Sequence, residues 1–190
     1  MSGTPATALE AETVLENADL LWSAEQVDAA VHAMAERISE QLAESHPIIM
    51  SVLNGGLIPT AWLVTRLQFP MEMGYLHATR YRSGLHGQEL DWRVPPSVPV
   101  EGRTVLVVDD IFDEGHTLAS VVEDLRAGGA GRVLSAVLVD KLHDRKVPGF
   151  QVDFKALDVE DRYVFGCGMD YKECLRNLPG IYALARDQAV

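Results

Sequence analysis

Cysteine is scarce in this chain, which has two, Cys167 and Cys174, among 190 residues. So few cysteines in a chain of this length argue against a disulfide scaffold, and we expect two reduced thiols in a hydrophobic setting. The six histidines are scattered, and no two of them have the i, i+4 spacing of zinc ligands on a helix. The sequence therefore shows no zinc site.

Positive charge is also in short supply. The chain has 16 Lys and Arg against 28 Asp and Glu, a formal net charge of −12. This balance argues against a general affinity for DNA, RNA or anionic membranes, although one anionic ligand can still bind in a locally basic pocket. No apolar run approaches the ~20 residues of a membrane span, and the acidic residues 1–20 do not resemble a secretory signal. We expect a cytoplasmic protein with no nucleic-acid or membrane partner.

Two common nucleotide-binding motifs are missing. No G-x-x-x-x-G-K-[ST] is present, which excludes a P-loop, and no G-x-G-x-x-G follows a strand, so a dinucleotide site has no support. Internal repeats and low-complexity linkers are missing as well. The chain is long enough for one domain with a full core, and we predict a single domain over 1–190.

Aliphatic runs alternate with amphipathic segments through most of the chain. A helix is predicted to begin after Ser23, with Gln26 as its capping-box partner, and to end before Pro47. Strands are predicted at 48–53, 72–81, 103–109 and 132–141, and further helices at 58–67 and from 116 to the Gly128-Gly129 pair. This order predicts an α/β fold with a mainly parallel, twisted sheet flanked by helices.

Two stretches depart from this alternation. Residues 82–102 are rich in proline and glycine and are predicted to form a long loop, a common place for a functional lid. Residues from about 150 to 186 mix short strands, turns and polar residues. Together with the N-terminal segment, they are predicted to form a small hood lobe on the same domain.

The most informative stretch is VLVVDDIFDEGHTL, residues 105–118. Ligands of open parallel sheets bind outside the carboxyl ends of the strands, where Asp109, Asp110 and Asp113 are predicted to lie. The next turn enters a helix, whose first N–H groups favour a phosphate, and Gly115 permits a close approach. The two leading carboxylates would repel a phosphate, so they suit vicinal hydroxyls or a bridging Mg²⁺. Together these groups predict a site for a ribose phosphate.

Four aliphatic residues, Asp-Asp, two apolar residues and Asp-x-Gly-x-Thr resemble the phosphoribosyl-pyrophosphate (PRPP) signature of type I phosphoribosyltransferases. VLNGGL (52–57) resembles the pyrophosphate loop of that family, and HATRY (77–81) with the loop after it resembles the mobile catalytic loop. VLVDKLHDR (137–145) and DFKALDVEDRYVFGCGMDY (153–171) resemble the base-recognition segments of hypoxanthine-guanine phosphoribosyltransferases. The likeness covers roughly residues 15–186, and LNGG with HATRY resembles a bacterial subgroup.

The resemblance implies that the ribose 5-phosphate of PRPP is transferred to N9 of hypoxanthine or guanine, with Mg²⁺ as cofactor and pyrophosphate as leaving group. The transition state should be oxocarbenium-like, so positive charges and hydrogen-bond donors are needed where the pyrophosphate leaves. The resemblance also implies a homo-oligomer, either a dimer or a tetramer.

The resemblance further assigns roles to individual residues. It makes Asp113 the general acid/base at purine N7, and it places the ribose hydroxyls and Mg²⁺ at Asp109 and Asp110. The predicted 5-phosphate site is Asp113, Glu114, Gly115, His116 and Thr117. The predicted pyrophosphate site is Asn54, Gly55, Arg80, Tyr81 and Arg176, with Arg145 as a further basic candidate. The predicted purine site is Lys141 as donor to O6, Tyr163 stacking on the base, Val164 and Asp170, and Asp170 is also a predicted metal ligand.

Plainer interpretations remain open for several of these residues. Lys141 could end a strand in solvent, Asp170 could lie in an exposed turn, and the side chains of Glu114 and His116 could simply face solvent. Arg145 and Arg176 could be surface ion-pair partners.

The chain departs from the family pattern at two places. Many members have lysine in the pyrophosphate loop where this chain has Asn54, and many have Ser-Tyr in the mobile loop where it has Arg80-Tyr81. An arginine there could offset the missing lysine. This hypothesis predicts that Arg80→Ala weakens the use of PRPP more than purine binding, and equal losses in both would count against it.

Two other functions fit parts of the sequence. A phosphoribosyltransferase that prefers xanthine would share the 6-oxo recognition, because the 2-position is read largely by backbone carbonyls. A PRPP-sensing regulator on the same fold should have a basic surface or an added helix-turn-helix and should lack Asp113. The acidic composition and the presence of Asp113 argue against the regulator.

Overall fold

The computed structural model describes residues 4–80 and 90–186. In chain order its elements are α1 (Ala8–Asn17), β1 (Asp19–Trp22), α2 (Ala24–Leu42), β2 (Ile48–Val52), α3 (Leu57–Val64), β3 (Glu72–Arg80), β4 (Leu90–Val94), β5 (Thr104–Phe112), α4 (His116–Ala127), β6 (Arg132–Leu142), β7 (Phe154–Glu160), β8 (Val164–Phe165) and β9 (Ile181–Ala183). A six-stranded sheet has the order β4-β3-β2-β5-β6-β7, and a three-stranded sheet has the order β1-β9-β8. All neighbours in the large sheet are parallel except β3 and β4. The predicted α/β fold with a mainly parallel sheet is confirmed.

Alternate residues of the central strands face two different helical layers, because successive side chains of a strand point to opposite sides. On one side, the buried residues are Ile49, Leu106 and Leu134 of the sheet with Met34, Ile38 and Leu42 of α2. On the other side, they are Met50, Val105, Val107 and Val133 of the sheet with Val121, Val122 and Leu125 of α4. Each fully buried Leu or Ile contributes roughly 1.5–3 kcal/mol. The central strands are therefore held on both faces, and their carboxyl ends are fixed in space.

Helix α2 begins as predicted. The Ser23 side chain accepts a hydrogen bond from the Gln26 backbone N–H, and the Ser23 N–H donates to Oε1 of Gln26 at 2.9 Å, which completes the capping box. The apolar stripe predicted for this helix is buried. Helix α3 ends at Val64, three residues earlier than predicted, and Leu63 lies in the core. Among the described residues, no helix is long and apolar enough to cross a membrane.

The central strand β5 is longer than the sequence suggested. It was predicted over 103–109, but it runs to Phe112, so Asp109 and Asp110 lie within the strand and not beyond its end. Pairing with β6 continues past the two acids, with Ile111 opposite Val139. The apolar pattern ends at Asp109 because acidic side chains follow the aliphatic ones, while the backbone hydrogen bonds between β5 and β6 continue.

The predicted loop over 82–102 contains a strand. β4 (Leu90–Val94) pairs antiparallel with β3, with Ala78 opposite Trp92 and Thr79 opposite Asp91. The Trp92 ring packs against the core, and its Nε1–H donates to Oδ2 of Asp124 at 3.1 Å. Prolines shortly after this five-residue strand hid its alternation, and an edge strand needs few apolar residues.

The small sheet joins the two ends of the chain. β1 pairs with β9, and β9 pairs with β8, in both cases antiparallel. The segment 150–186, predicted for the hood, also contains β7, and this strand belongs to the large sheet through its parallel pairing with β6. Neither α1 nor β1 was predicted from the sequence. The single domain over 1–190 with a hood stays a prediction.

Candidate active site

A cavity of about 740 Å³ lies at the carboxyl ends of β2 and β5. The loops that follow these two strands supply most of its wall, as expected for an open parallel sheet. The predicted ligand-binding residues in this wall are Gly55, Asp109, Asp110, Asp113, Glu114, Gly115, His116 and Thr117. The structure thus brings together the predicted ribose and 5-phosphate residues with one residue of the predicted pyrophosphate loop.

Asp109 and Asp110 form an acidic pair on the wall of this cavity. Oδ1 of Asp109 accepts the Asp110 backbone N–H at 2.9 Å, and Oδ1 of Asp110 accepts the Ile111 N–H at 2.7 Å. Burial raises the pKa of Asp109 well above its ordinary value, and the charge of Asp110 adds to the rise. Burial also raises the pKa of Asp110, although hydrogen bonds and the nearby charge of Arg176 act in the opposite direction. A bound cation or hydroxyl donors would therefore stabilise the ionised form of these two carboxylates.

Glycine at position 55 lets the loop after β2 touch this acidic pair. A Cβ atom on Gly55 would come closer than 3.0 Å to Asp110 carboxyl atoms. Gly168, which has a φ of 109°, presses on the same loop, since its Cβ would collide with the Gly55 carbonyl oxygen. The peptide bond between Leu53 and Asn54 is cis. Strand β5, the loop after β2 and the segment that carries Gly168 therefore meet at Gly55.

The start of helix α4 faces the same cavity. Gly115 is its N-cap with a φ of 80°, and no side chain caps the helix. A Cβ on Gly115 would collide with the Phe112 ring, so the turn needs glycine for space as well as for its positive φ. The first N–H groups of the helix remain available to an anion, which the helix dipole also favours. Nε2 of His116 lies 3.9 Å from Oε2 of Glu114, so these two side chains face each other at the rim.

Asp113 is held by two donors. Nζ of Lys141 lies 2.7 Å from its Oδ2, and Nε2 of His143 lies 2.6 Å from its Oδ1. Burial raises the pKa of Asp113, but the hydrogen bonds from Lys141 and His143 outweigh it and hold the pKa below its ordinary value. Lys141 is 9% exposed, so it does not end a strand in open solvent.

His143 was not predicted from the sequence to be a site residue. A signal was present, since Lys141, Leu142 and His143 continue the alternation of β6, which puts the lysine and the histidine on one side. Leu142 is 56% exposed, whereas the His143 side chain is 3% exposed. Arg145, a candidate for the pyrophosphate site, forms a bidentate ion pair with Asp161 at 2.7 and 3.0 Å.

The predicted purine residues lie in and beside the hood. Tyr163 is 48% exposed, and its hydroxyl donates to the Asp170 carbonyl at 3.1 Å. Its ring contacts Tyr171 edge-on, with centroids 5.9 Å apart. Val164 is buried and belongs to β8. A half-exposed ring with its edge fixed in this way leaves aromatic surface for a flat ligand.

Asp170 and Arg176 contact each other. Oδ1 of Asp170 lies 2.8 Å from Nη2 of Arg176, and its Oδ2 accepts the Glu173 N–H at 2.7 Å. Nη1 of Arg176 donates to the Gly168 carbonyl at 2.8 Å. A metal ion bound by Asp170 would therefore compete with Arg176 for the same oxygen.

Two described residues of the predicted pyrophosphate site are not on the wall of the first cavity. Asn54 and Arg176 line a second cavity of about 730 Å³, whose other wall is α1. Arg80 ends β3, and Tyr81 lies outside the described residues.

Two groups of side chains could be considered for a metal ion. In the described part of the chain, Asp113, His143 and Asp161 each offer an atom within 4.8 Å of the others. However, Asp113 is already bonded to Lys141 and His143, and both oxygens of Asp161 face Arg145. The acidic pair at the cavity wall fits a divalent cation better, because its carboxylates repel each other and form no ion pair with the described residues.

Comparison with known proteins places the chain in a family. The family model described as "Phosphoribosyl transferase domain" matches residues 23–173. The chain belongs to the phosphoribosyltransferase family. The hypoxanthine-guanine phosphoribosyltransferase of Bacillus subtilis is 31% identical over 166 residues, which are 87% of this chain and 92% of that protein.

Xanthine is part of the name of one curated relative and of one solved structure. The hypoxanthine-guanine-xanthine phosphoribosyltransferase of Tritrichomonas foetus is 27% identical over 162 residues, 85% of this chain and 88% of that protein. A solved structure of a hypoxanthine-guanine-xanthine phosphoribosyltransferase superposes with a TM-score of 0.81 and 26% identity, over 89% of this phosphoribosyltransferase and 98% of that chain. The expectation of a phosphoribosyltransferase fold and family is confirmed.

Proposed function

We propose that this phosphoribosyltransferase salvages 6-oxopurines, transferring the ribose 5-phosphate of PRPP to N9 of hypoxanthine or guanine to give IMP or GMP and pyrophosphate. The observation that carries the proposal is the Lys141–Asp113 pair, a donor and a carboxylate 2.7 Å apart, next to the cavity of the acidic pair. A ribose phosphate would fit that cavity, and the lysine beside it would donate a hydrogen bond to a 6-oxo group. The names of the relatives support the same substrates.

The sugar phosphate is proposed to bind along the cavity wall. The 5-phosphate accepts hydrogen bonds from the backbone N–H groups at the start of α4, between Gly115 and Thr117, where no side chain of the described residues caps the helix. The ribose hydroxyls donate to Asp109 and Asp110, which relieves the repulsion between these carboxylates. The same pair would hold Mg²⁺. When bound, the ion would neutralise charge on the pyrophosphate as it leaves.

The acid–base step is proposed to use Asp113. As the bond from ribose C1′ to the pyrophosphate oxygen breaks, the electron pair stays on that oxygen, and N9 of the purine forms the new bond to C1′. Asp113 accepts the proton released from N7, and in the reverse direction it returns that proton. The hydrogen bonds from Lys141 and His143 keep the carboxylate ionised, as a base requires.

Base selection is proposed to depend on Lys141 and the hood. An ammonium has only donors, so it matches the O6 acceptor and rejects the donating amino group of adenine. Tyr163 covers the flat face of the base, and Val164 and Asp170 border it through their backbone. Guanine, hypoxanthine and xanthine share O6, and xanthine is named in a curated relative and in a solved structure, so xanthine is the second candidate substrate.

A homo-oligomer is also part of the proposal. Leu57, Met73 and Tyr75 are apolar side chains with exposed fractions of 57%, 57% and 49%. They border one apolar hollow of about 290 Å³. An exposed apolar patch of this kind favours association with a second copy. Light scattering behind size-exclusion chromatography would measure the mass, and a monomer at micromolar concentration would contradict this part.

The test of the proposal is pyrophosphate release with PRPP and Mg²⁺, measured in parallel with hypoxanthine, guanine, xanthine and adenine. Turnover of hypoxanthine and guanine but not adenine is expected. Comparable turnover of xanthine would widen the substrate class without changing the chemistry. Retained PRPP binding without turnover of any base would overturn the enzymatic proposal.

A further inference from the structure

His143 is the second donor to the Asp113 carboxylate. Nε2 of His143 lies 2.6 Å from Oδ1 of Asp113, while Nζ of Lys141 takes the other oxygen at 2.7 Å. The His143 side chain is 3% exposed, whereas the Asp113 side chain is 42% exposed. The carboxylate thus faces the cavity, and the imidazole supports it from inside the protein.

The tautomer of His143 follows from its second nitrogen. The Arg145 backbone N–H donates to Nδ1 of His143 at 3.1 Å, so Nδ1 carries a lone pair. In the neutral ring the proton is then on Nε2, which makes His143 a donor to Asp113 and not an acceptor. A backbone amide cannot turn away, and therefore it fixes both the ring orientation and the tautomer.

The segment that carries His143 is itself anchored. Arg145 forms its bidentate pair with Asp161, and the Val147 N–H donates to the Glu114 carbonyl at 2.8 Å. Lys146 lies over the Phe112 ring, 4.1 Å from its centroid. These contacts tie the loop after β6 to the turn that carries Asp113. The imidazole and the carboxylate therefore belong to one connected unit.

Under the proposed function, Lys141 and His143 have different partners once the purine is bound. Lys141 must also donate to purine O6, so its ammonium is shared between the carboxylate and the substrate. His143 has no such second task, because its other nitrogen is already occupied by Arg145. When the purine binds, His143 is the donor that stays on Asp113.

We propose that His143 is a positioning residue for the acid/base carboxylate: it holds Oδ1 of Asp113 through its Nε2–H, so that the carboxylate stays oriented and ionised while Lys141 turns to the purine. The inference rests on the proposed function for the role of Asp113. It adds a residue that acts through Asp113 and does not touch the substrate.

Other charges surround Asp113 and enter any pH profile. The charged or titratable groups that face Asp113 or its two donors are Lys141, His143, Arg145, Glu114 and Asp161. Arg145 is paired with Asp161, and the Glu114 carboxylate faces His116 at 3.9 Å. The variants below leave these groups in place and change His143 alone.

The matched variants are His143→Gln and His143→Asn. The glutamine amide reaches the place of Nε2 and can donate to Asp113, whereas the shorter asparagine reaches the place of Nδ1 and can only meet Arg145. With hypoxanthine, PRPP and Mg²⁺, we expect His143→Asn to lower kcat about tenfold or more, with little change in KM for PRPP. His143→Gln should stay within about threefold of the parent protein.

The pH profile separates positioning from a purely structural role. A carboxylate base works when ionised, so forward activity is lost as the pH falls through the pKa of Asp113. Loss of a donor raises that pKa, so the acid limb of kcat/KM for hypoxanthine should move to higher pH in His143→Asn but not in His143→Gln. His32→Asn is the control, because His32 is exposed on α2, far along the chain from Asp113, and lies 3.7 Å from Glu36. This substitution should leave kcat/KM for hypoxanthine and the position of its acid limb unchanged.

Equal losses in His143→Gln and His143→Asn with an unmoved acid limb would overturn the proposal, as would full activity in His143→Asn. A readout without turnover distinguishes this failure from failure of the proposed function. The ¹³C shift of the Asp113 carboxyl group, followed against pH, should titrate at higher pH in His143→Asn than in the parent protein and in His143→Gln. An unchanged titration of the Asp113 carboxyl group in His143→Asn would contradict the inference even if hypoxanthine is turned over.

Discussion

The backbone at Gly55 lies against the carboxylate of Asp110, and no side chain fits between them. A Cβ atom there would come closer than 3.0 Å to three atoms of that carboxyl group. Gly55→Ala must therefore displace either Asp110 or the loop. We expect kcat/KM for PRPP to fall by about 100-fold, because a small misplacement of binding groups is costly for catalysis. Steady-state kinetics with PRPP as the varied substrate would measure it.

Gly149→Ala is the matched control for that change. A Cβ on Gly149 would meet nothing within 4 Å, and the residue's φ of 79° makes alanine only locally strained. It should cost about 1 kcal/mol of stability and leave the PRPP kinetics unchanged. If Gly55→Ala also left kcat/KM for PRPP unchanged, the close contact between this loop and Asp110 would have no part in PRPP binding.

Lys141→Gln tests the proposed contact with purine O6. This substitution replaces a buried ammonium by a neutral amide. We expect it to raise KM for hypoxanthine by about tenfold or more, since hydrogen bonds to charged groups contribute about 1.5–3 kcal/mol. KM for PRPP should change little. Lys155→Gln is the control, because Lys155 pairs with Asp140 and Asp158 and not with Asp113. Equal effects of the two substitutions on KM for hypoxanthine would contradict the assignment.

Tyr163 offers a separate test of base stacking. Tyr163→Ala should weaken purine binding by about 1–3 kcal/mol, the usual range for a base stacked on an aromatic ring. Tyr163→Phe keeps the ring and loses only the hydrogen bond to the Asp170 carbonyl. It should therefore retain most of the affinity. Titration calorimetry with GMP would compare the three proteins, and equal affinities for Ala and Phe would rule out stacking.

The two thiols should differ in reactivity. Cys167 is fully buried, its thiol donates to the Gly180 carbonyl at 3.3 Å, and burial raises its pKa to about 12. Almost no thiolate forms at pH 8, so Cys167 should resist a thiol reagent until the protein unfolds. Cys174 is partly exposed. Ellman's reagent should therefore label at most one thiol per native chain and two in denaturant. Rapid reaction of two thiols with Ellman's reagent in the native protein would contradict the burial of Cys167.

The sequence predicted the elements whose apolar pattern is long and regular. Helix α2 shows why, since its capping box and its buried stripe are both local in sequence. β1 was missed because this short strand is defined by a partner far along the chain, as in the pairing of Asp19 with Ala183. β4, whose partner β3 precedes it directly, was missed because the prolines after it hid its alternation. Strand β5 was shortened because hydropathy changes at Asp109 while the backbone ladder does not.

The candidate site was predictable where the chain groups its own residues, as in the turn from Asp113 to Thr117. It was less predictable where distant segments meet. His143 gave only an alternation signal, and its contact with Asp113 joins residues that directly follow two different strands, β5 and β6. The separation of Asn54 from the first cavity likewise depends on the three-dimensional course of the loop. Such contacts are set by packing, which local patterns do not encode.

The pairing of β1 with β9 has a consequence for synthesis on the ribosome. The strands of the large sheet can pair once residue 160 has emerged, but the small sheet needs both Asp19–Trp22 and Ile181–Ala183. Tyr163 precedes β8, which is held by β9. The surface proposed for the purine is therefore expected to form last, after nearly the whole chain has been translated, while the turn proposed for the 5-phosphate is already in place.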